Sequence, residues 1–289
     1  METSIFRKSP IPFSRRGALK LIAAGMAGSF AHAGWVEPSL LSITRRDIRC
    51  RKLPPALDGL RVGLIADFHF RPGTDDEVVQ AAVSQVNREN LDLLALSGDF
   101  ADHDAAVLAP LLEYLGKADT AHGVFAVMGN HDGWNSGHHL TSRSFDKAGI
   151  SFLINQHSLL SIRSETLAIA GTDFVWHGKP DPKKTLAGIR ADTPVIALVH
   201  EPDYFDEMTR HRDIMLQLSG HTHGGQCRVP GIGYTPAKVR FGQNYIHGEY
   251  ARDDSRIFVT RGIGTTGLRV RFACPPELAI LTLRSGMLV

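Results

Sequence analysis

The fold class this sequence predicts is α/β or α+β, a sandwich of layers, and two observations carry the prediction. Short apolar runs of strand length recur between stretches with helical spacing of apolar residues, from Leu60 to Leu283. Residues that carry chemistry fall directly after several of those runs, as in open α/β sheets, where strand carboxyl ends gather on one edge. With 289 residues, 43% hydrophobic and 21% charged, the chain can bury one sizeable core, and neither disorder nor a fibre fits.

Residues 1–33 read as a targeting segment: basic residues, an apolar stretch from Leu19 to Phe30, then Ala31-His32-Ala33 as a small-residue cleavage site before Gly34. The run Ser14-Arg15-Arg16-Gly17-Ala18-Leu19-Lys20 resembles a twin-arginine export signal, with Ala18 where such signals usually carry Phe. The alternative is an ordinary Sec-type or membrane-anchoring segment, although the apolar run is short for a bilayer span. This reading implies an encounter with the export machinery and a periplasmic or outer-face location. The segment also explains the charge: Arg7, Lys8, Arg15, Arg16 and Lys20 against Glu2 make +4 of a net +2, leaving about −2 for the rest. A body without basic excess is a poor partner for nucleic acid.

Residues 34–58 read as a connecting segment ending in Leu53-Pro54-Pro55, and 59–289 as the catalytic domain. Leu60 to Ala66 is the first buried strand. Asp75 to Asn90 follows as an amphipathic helix with Val78, Val79, Ala82, Val83 and Val86 on one face. Leu91 to Ser97 is a strand, Ala105 to Lys117 a helix, Val124 to Met128 a strand, Ser142 to Ala148 a helix and Ser151 to Ile154 a strand. Leu159 to Arg163 and Thr166 to Ala170 form a hairpin. The apolar runs Val195 to Val199, Ile214 to Leu218, Ile257 to Thr260 and Leu278 to Leu283 complete the series.

The motifs after these strands are Asp67-Phe68-His69, Gly98-Asp99, Gly129-Asn130-His131-Asp132, His200 and Gly220-His221-Thr222-His223. Taken singly, each is as well explained by a cap, a turn or a core histidine. Their common position at strand ends makes one pocket of oxygen and nitrogen donors without thiolate, a mix suited to manganese, iron or zinc. Two such cations about 3.5–4 Å apart need a shared anionic ligand, and Asp99 is the natural bridge. A hydroxide held between them would attack phosphorus, His131 would protonate the leaving oxygen, and Asp132 would orient its imidazole.

In these motifs and their order the chain resembles the calcineurin-like metallophosphoesterases, specifically an exported bacterial branch, from about Leu53 to Leu283. The resemblance implies a four-layer α/β/β/α sandwich with mixed sheets. It further implies that Asp67, His69, Asp99 and His223 hold one divalent ion. Asp99, Asn130, His200 and His221 would hold a second, with His131 contacting substrate. Gly224-Gly225-Gln226 and the run from Arg261 to Gly267 are similar to that branch too, the latter's glycines permitting a tight backbone passage near the site.

The implied activity is hydrolysis of a phosphodiester or phosphomonoester. Alternatives are a pyrophosphatase acting on a nucleotide-linked lipid such as acylated UDP-glucosamine, which would bring peripheral membrane contact, and a non-catalytic metal-dependent binding module. His103, His138, His139 and His247 read as structural, and Asp102 has a weaker claim to the site than His138 or His139. Arg240, Arg269 and Arg271 read as surface or packing residues before phosphate ligands. Cys50, Cys227 and Cys274 have no metal-finger spacing; Cys227 and Cys274 could pair, or simply be small partly buried side chains.

Overall fold

Two six-stranded sheets lie face to face with helices on both outer sides. The computed structural model describes residues 14–102, 105–135, 138–233, 235 and 238–286; His103 and the start of the expected targeting segment lie outside the described residues. The first sheet holds β1 (Ser42–Cys50), β2 (Arg61–Ile65), β3 (Leu93–Leu96), β4 (Val124–Ala126), β5 (Ile150–Phe152) and β12 (Glu277–Ser285), ordered β1-β12-β2-β3-β4-β5. Strands β2 to β5 are parallel and β12 is antiparallel to β2, so the sheet is mixed. The second holds β6 (Gln156–Ile162), β7 (Glu165–Gly171), β8 (Val195–Leu198), β9 (Leu216–Ser219), β10 (Gly248–Arg252) and β11 (Ser255–Val259), ordered β10-β11-β9-β8-β7-β6. Its β6–β7 hairpin and its β10–β11 pair are antiparallel, and the strands between run parallel.

The α-helices among the described residues are α1 (Arg15–Ala31), α2 (Asp76–Arg88), α3 (Leu108–Leu115), α4 (Asn130–Asn135), α5 (His138–Lys147), α6 (Pro182–Leu186) and α7 (Phe205–His211). Side chains on successive strand residues point to opposite faces, and both faces of the inner strands are covered, so these strands read as unbroken apolar runs. On β3, Leu93 and Ala95 pack between the sheets with Ile196, Leu198 and Leu218. Leu94 and Leu96 turn outward to a second core with Val79, Val86, Leu111, Leu115 and Phe145 of α2, α3 and α5. A third core sets Met208 of α7 against Ala168, Ala170, Val195 and Ala197. The order is therefore α/β/β/α. The predicted apolar face of α2 is the buried one, Val78, Val79, Ala82, Val83 and Val86, each valine contributing about 1.5–3 kcal/mol over exposure.

Within the expected connecting segment, Ser42–Cys50 is instead an edge strand, pairing in parallel with β12 over its full length. Its charged, half-exposed composition, with only Ile48 and Cys50 buried, hides it among loop-like residues. Ahead of it, α1 buries none of its residues. The turn that follows docks on the body: the Ala33 carbonyl accepts from Arg271 N at 2.9 Å, and the Glu37 carboxylate accepts from Cys274 N at 2.5 Å. Among the described residues, no helix is long and apolar enough to cross a membrane.

Candidate metal centre

Beyond the carboxyl ends of β2, β3, β4, β8 and β9, the chain presents Asp67 and His69, Asp99, Asn130, His200, and His221 and His223. All are at most 5% exposed. The backbone turns sharply to point them inward: Asp67, His69, Asp99, His221 and His223 have φ of 54°, 40°, 56°, 72° and 52°. Each such left-handed residue costs on the order of 1–3 kcal/mol, and neighbouring loops hold it there. Asp67 N donates to Gly98 O at 2.9 Å, His69 N to Asp99 O at 3.0 Å and His221 N to Asp67 Oδ1 at 2.7 Å.

Glycine makes this crowding possible. A Cβ on Gly129 would lie 2.1 Å from Asp99 Oδ1, and one on Gly264 would lie 1.8 Å from the Phe68 carbonyl oxygen. The glycines after Arg261 thus pass tightly beside Asp67. Arg271, fully buried, fixes that passage by donating to the carbonyls of Arg261, Gly262, Gly264 and Cys274. It packs the loop and does not face the centre as a phosphate ligand would. Arg269 likewise binds the Gly34 carbonyl and Ser39.

Three of the four imidazoles, those of His69, His200 and His221, share one arrangement, a ring nitrogen tied outward and the other turned in, whereas His223 Nδ1 is buried without a hydrogen-bond partner among the described residues. His69 Nδ1 donates to Asp102 Oδ1 at 2.5 Å, His200 Nδ1 to Ser97 O at 2.6 Å and His221 Nε2 to Arg240 O at 2.7 Å. Inward, His69 Nε2 meets His223 Nε2 at 3.0 Å, His200 Nε2 meets His221 Nδ1 at 3.2 Å, and Asp99 Oδ2 lies 3.1 Å from His200 Nε2 and 3.4 Å from His69 Nε2. Asp99 therefore stands between two clusters, Asp67-His69-His223 and His200-His221 with Asp99 itself. Asn130 lies between Gly129 and His131, whose N–H donates to Asp99 Oδ1 at 2.9 Å.

Charge inside the cage is in tension. Burial pushes Asp67 up to about 6. Burial also acts on Asp99, but the His200 charge outweighs it and holds the carboxyl well below its ordinary range. His200 is taken up to about 10, Asp99 overriding desolvation, while burial drives His221 down to about 3 and His223 well below its usual value. Asp67 Oδ2 and Asn130 Oδ1 are buried without a hydrogen-bond partner among the described residues. Paired nitrogens facing one another, with Asp99 Oδ2 3.1 and 3.4 Å from two of them and buried oxygens of Asp67 and Asn130 left unpaired, fit divalent cations.

His131 differs from these residues. Its side chain is 21% exposed, and its Nδ1 lies 3.0 Å from Asp102 Oδ1. Asp102, expected to lie outside the chemistry, thus serves both His69 and His131; an Asp three residues after Gly98-Asp99 was the signal available in sequence. Asp132, expected to orient His131, instead accepts from the N–H groups of Asp99, Phe100, Ala101 and Gly129 at 2.8, 2.8, 3.1 and 2.9 Å. It brackets the loop that presents Asp99. His138 and His139 open α5, and His247 Nε2 lies 3.7 Å from Glu277. Cys227 and Cys274 are both free thiols, Cys274 buried and Cys227 exposed, and Cys274 Sγ donates to His223 O at 3.2 Å.

A buried cage of carboxylates and imidazoles, where two sheets present their strand ends together, defines a metal-dependent hydrolase. The chain belongs to the calcineurin-like phosphoesterases, whose family pattern matches residues 60–225. It is 32% identical over 278 residues to the Uncharacterized metallophosphoesterase YkuE of Bacillus subtilis (strain 168), covering 93% of this chain and 94% of that one. Against Phosphodiesterase YaeI of Escherichia coli (strain K12) the identity is 32% over 285 residues, 93% and 99% of the two chains. Against UDP-2,3-diacylglucosamine pyrophosphatase LpxG of Chlamydia trachomatis serovar D it is 26% over 317 residues, 91% and 95% of the two. The protein is a metallophosphoesterase, a hydrolase of a family that uses divalent metals.

Proposed function

We propose that this chain hydrolyses a phosphodiester with two divalent cations, after export from the cytoplasm. The carrying observation is the pair of clusters, Asp67-His69-His223 and Asp99-His200-His221, joined by Asp99 Oδ2 lying 3.4 Å from His69 Nε2. Asp67, His69, Asp99 and His223 would hold one cation, and Asp99, Asn130, His200 and His221 the other. When bound, the cations supply Lewis acidity that lowers the pKa of water and offsets charge on phosphoryl oxygens. The chain's residues do the rest. Asp132 and the strained loops keep the ligand set preorganised, and Ser97 and Arg240 carbonyls hold His200 and His221 in the tautomers that leave Nδ1 or Nε2 bare toward the centre. His131, at the open side and braced by Asp102, delivers a proton to the leaving oxygen.

A phosphodiester is favoured over a monoester by similarity to the relative named Phosphodiesterase YaeI. A second reading, hydrolysis of a nucleotide-linked lipid pyrophosphate, draws support from the similarity to LpxG. Export is supported by Arg15-Arg16 at the start of α1, a helix that contributes nothing to the core. Purified chain stripped by chelator and restored with manganese, iron or zinc tests the main reading against bis(p-nitrophenyl) phosphate and an acylated UDP-glucosamine. The first ester should turn over only with metal. No turnover of any phosphoester by metal-replete protein would refute the proposal, and exclusive use of the lipid pyrophosphate would establish the second reading in its place.

A further inference from the structure

At the open side of the centre, His131, Trp134, Trp176 and Arg240 form a continuous rim. The Trp134 ring lies 4.8 Å from that of His131, tilted by 41°, and 5.1 Å from that of Trp176, nearly perpendicular to it. Its Nε1–H donates to the Trp176 carbonyl at 3.2 Å, so its polar edge is occupied while the side chain stays 42% exposed. Trp176 stands edge-on to His221 at 6.2 Å. The Arg240 guanidinium lies 5.9 Å over Trp176 and 4.7 Å over Phe241, and no carboxylate pairs with it among the described residues.

The fold builds this rim deliberately close to the ligands. A Cβ on Gly133 would lie 2.1 Å from the Phe174 ring, so only glycine lets α4 sit directly on that ring. Glu201, buried beside His200, accepts from Val175 N at 2.9 Å and Trp176 N at 2.8 Å. The indoles are therefore locked to the same loops that carry the cage, and a ligand that stacks on them loses little to ordering them.

We propose that this rim binds the base of a nucleoside phosphoester: the planar group stacks on Trp134, and Arg240 takes an anionic oxygen. The inference rests on the phosphoesterase reading and gives it a substrate class. An indole that stays 42% exposed takes a π-surface by stacking, whereas an acyl chain asks for a concave apolar wall. A guanidinium with no carboxylate partner among the described residues, lying over aromatic rings, is suited to phosphoryl oxygens.

Two methyl phosphodiesters sharing a 2-deoxyribose 5-oxygen test this with the metal-reconstituted full chain, one carrying thymine and the other a 1-O-methyl group in its place. The thymine ester should show a KM lower by about tenfold. Trp134→Ala should bring the ratio of the two KM values to about one, and Trp134→Phe should keep most of it. Both esters share the scissile bond, so any disturbance of His131 cancels in the ratio. Equal KM values in the unsubstituted protein, a ratio that survives Trp134→Ala, or a preference for dodecyl methyl phosphate over both would each overturn the inference. Bis(p-nitrophenyl) phosphate run alongside separates the failures. Its turnover without any base preference removes only the nucleoside, while no turnover of any ester removes the phosphoesterase reading as well.

Discussion

His131 and Asp102 are the part of the centre that water reaches, with side chains 21% and 24% exposed against 0–2% for His69 and Asp99. A residue that donates a proton to a departing alcohol needs that exposure, and one that holds a cation does not. His131→Ala should therefore lower kcat by about 10²–10⁴-fold while elemental analysis finds the metal content unchanged; an undiminished kcat would take His131 out of the reaction. Asp102→Asn should act twice, because one carboxylate serves two imidazoles. We expect cation affinity to fall by about 10–100-fold together with a lower kcat at saturating metal, read by metal titration and by turnover. The donor types were legible in the sequence because the strand-end motifs carry them. The exchange of roles between Asp102 and Asp132 was not. Neighbours on a helix do not face each other, so Asp132 at the start of α4 points back to the Asp99 loop while His131 turns outward.

Glu277 opens β12 and ties three elements together. Its carboxylate accepts from Thr44 Oγ1 of β1 at 2.5 Å, from Thr260 Oγ1 at 3.0 Å, and from Arg261 N and Nη2 at 2.9 and 3.0 Å. The loop it anchors is the one that passes beside Asp67. Burial pushes this carboxyl up, but His247, Arg261 and Thr44 more than offset it and hold it well below the usual carboxylate range. A depressed folded-state pKa stabilises fully above the unfolded value, 4.5, and the contribution is lost as pH falls toward the folded one. Glu277→Gln should destabilise the metal-free protein by about 1–3 kcal/mol near neutral pH. The gap in melting temperature should narrow between about pH 5 and pH 3, and a gap independent of pH would contradict the assignment. At this scale β2, α2, β3, the hairpin and β8 were readable from period and length. Strand β1 was not, since its Arg45, Arg46, Asp47 and Arg49 follow no apolar alternation and its place is set by a partner 233 residues away in sequence.

For the molecule as a whole, the layered architecture was legible because inner strands buried on both faces leave a plain trace in sequence. The meeting of both sheets' strand ends at one edge follows from topology and is visible only in three dimensions. The amino-terminal region divides in the same way. Helix α1 adds nothing to the core, whereas Ala33, Glu37 and Pro38 are buried against the body. A chain beginning at His32, which keeps Ala33, should keep its melting temperature within about 2 °C of the full chain, and one beginning at Ser42 should melt lower by several degrees; equal melting of all three would show that the 33–41 turn does not contribute. What the site can do depends on its cations. The most direct measurement is metal content against turnover during stepwise reconstitution of stripped protein, in the native chain and in Asp99→Asn. The account predicts two divalent ions per native chain, with phosphodiester turnover rising as the second binds, and a variant that retains neither full occupancy nor activity. Full turnover with one ion or none per chain would contradict it.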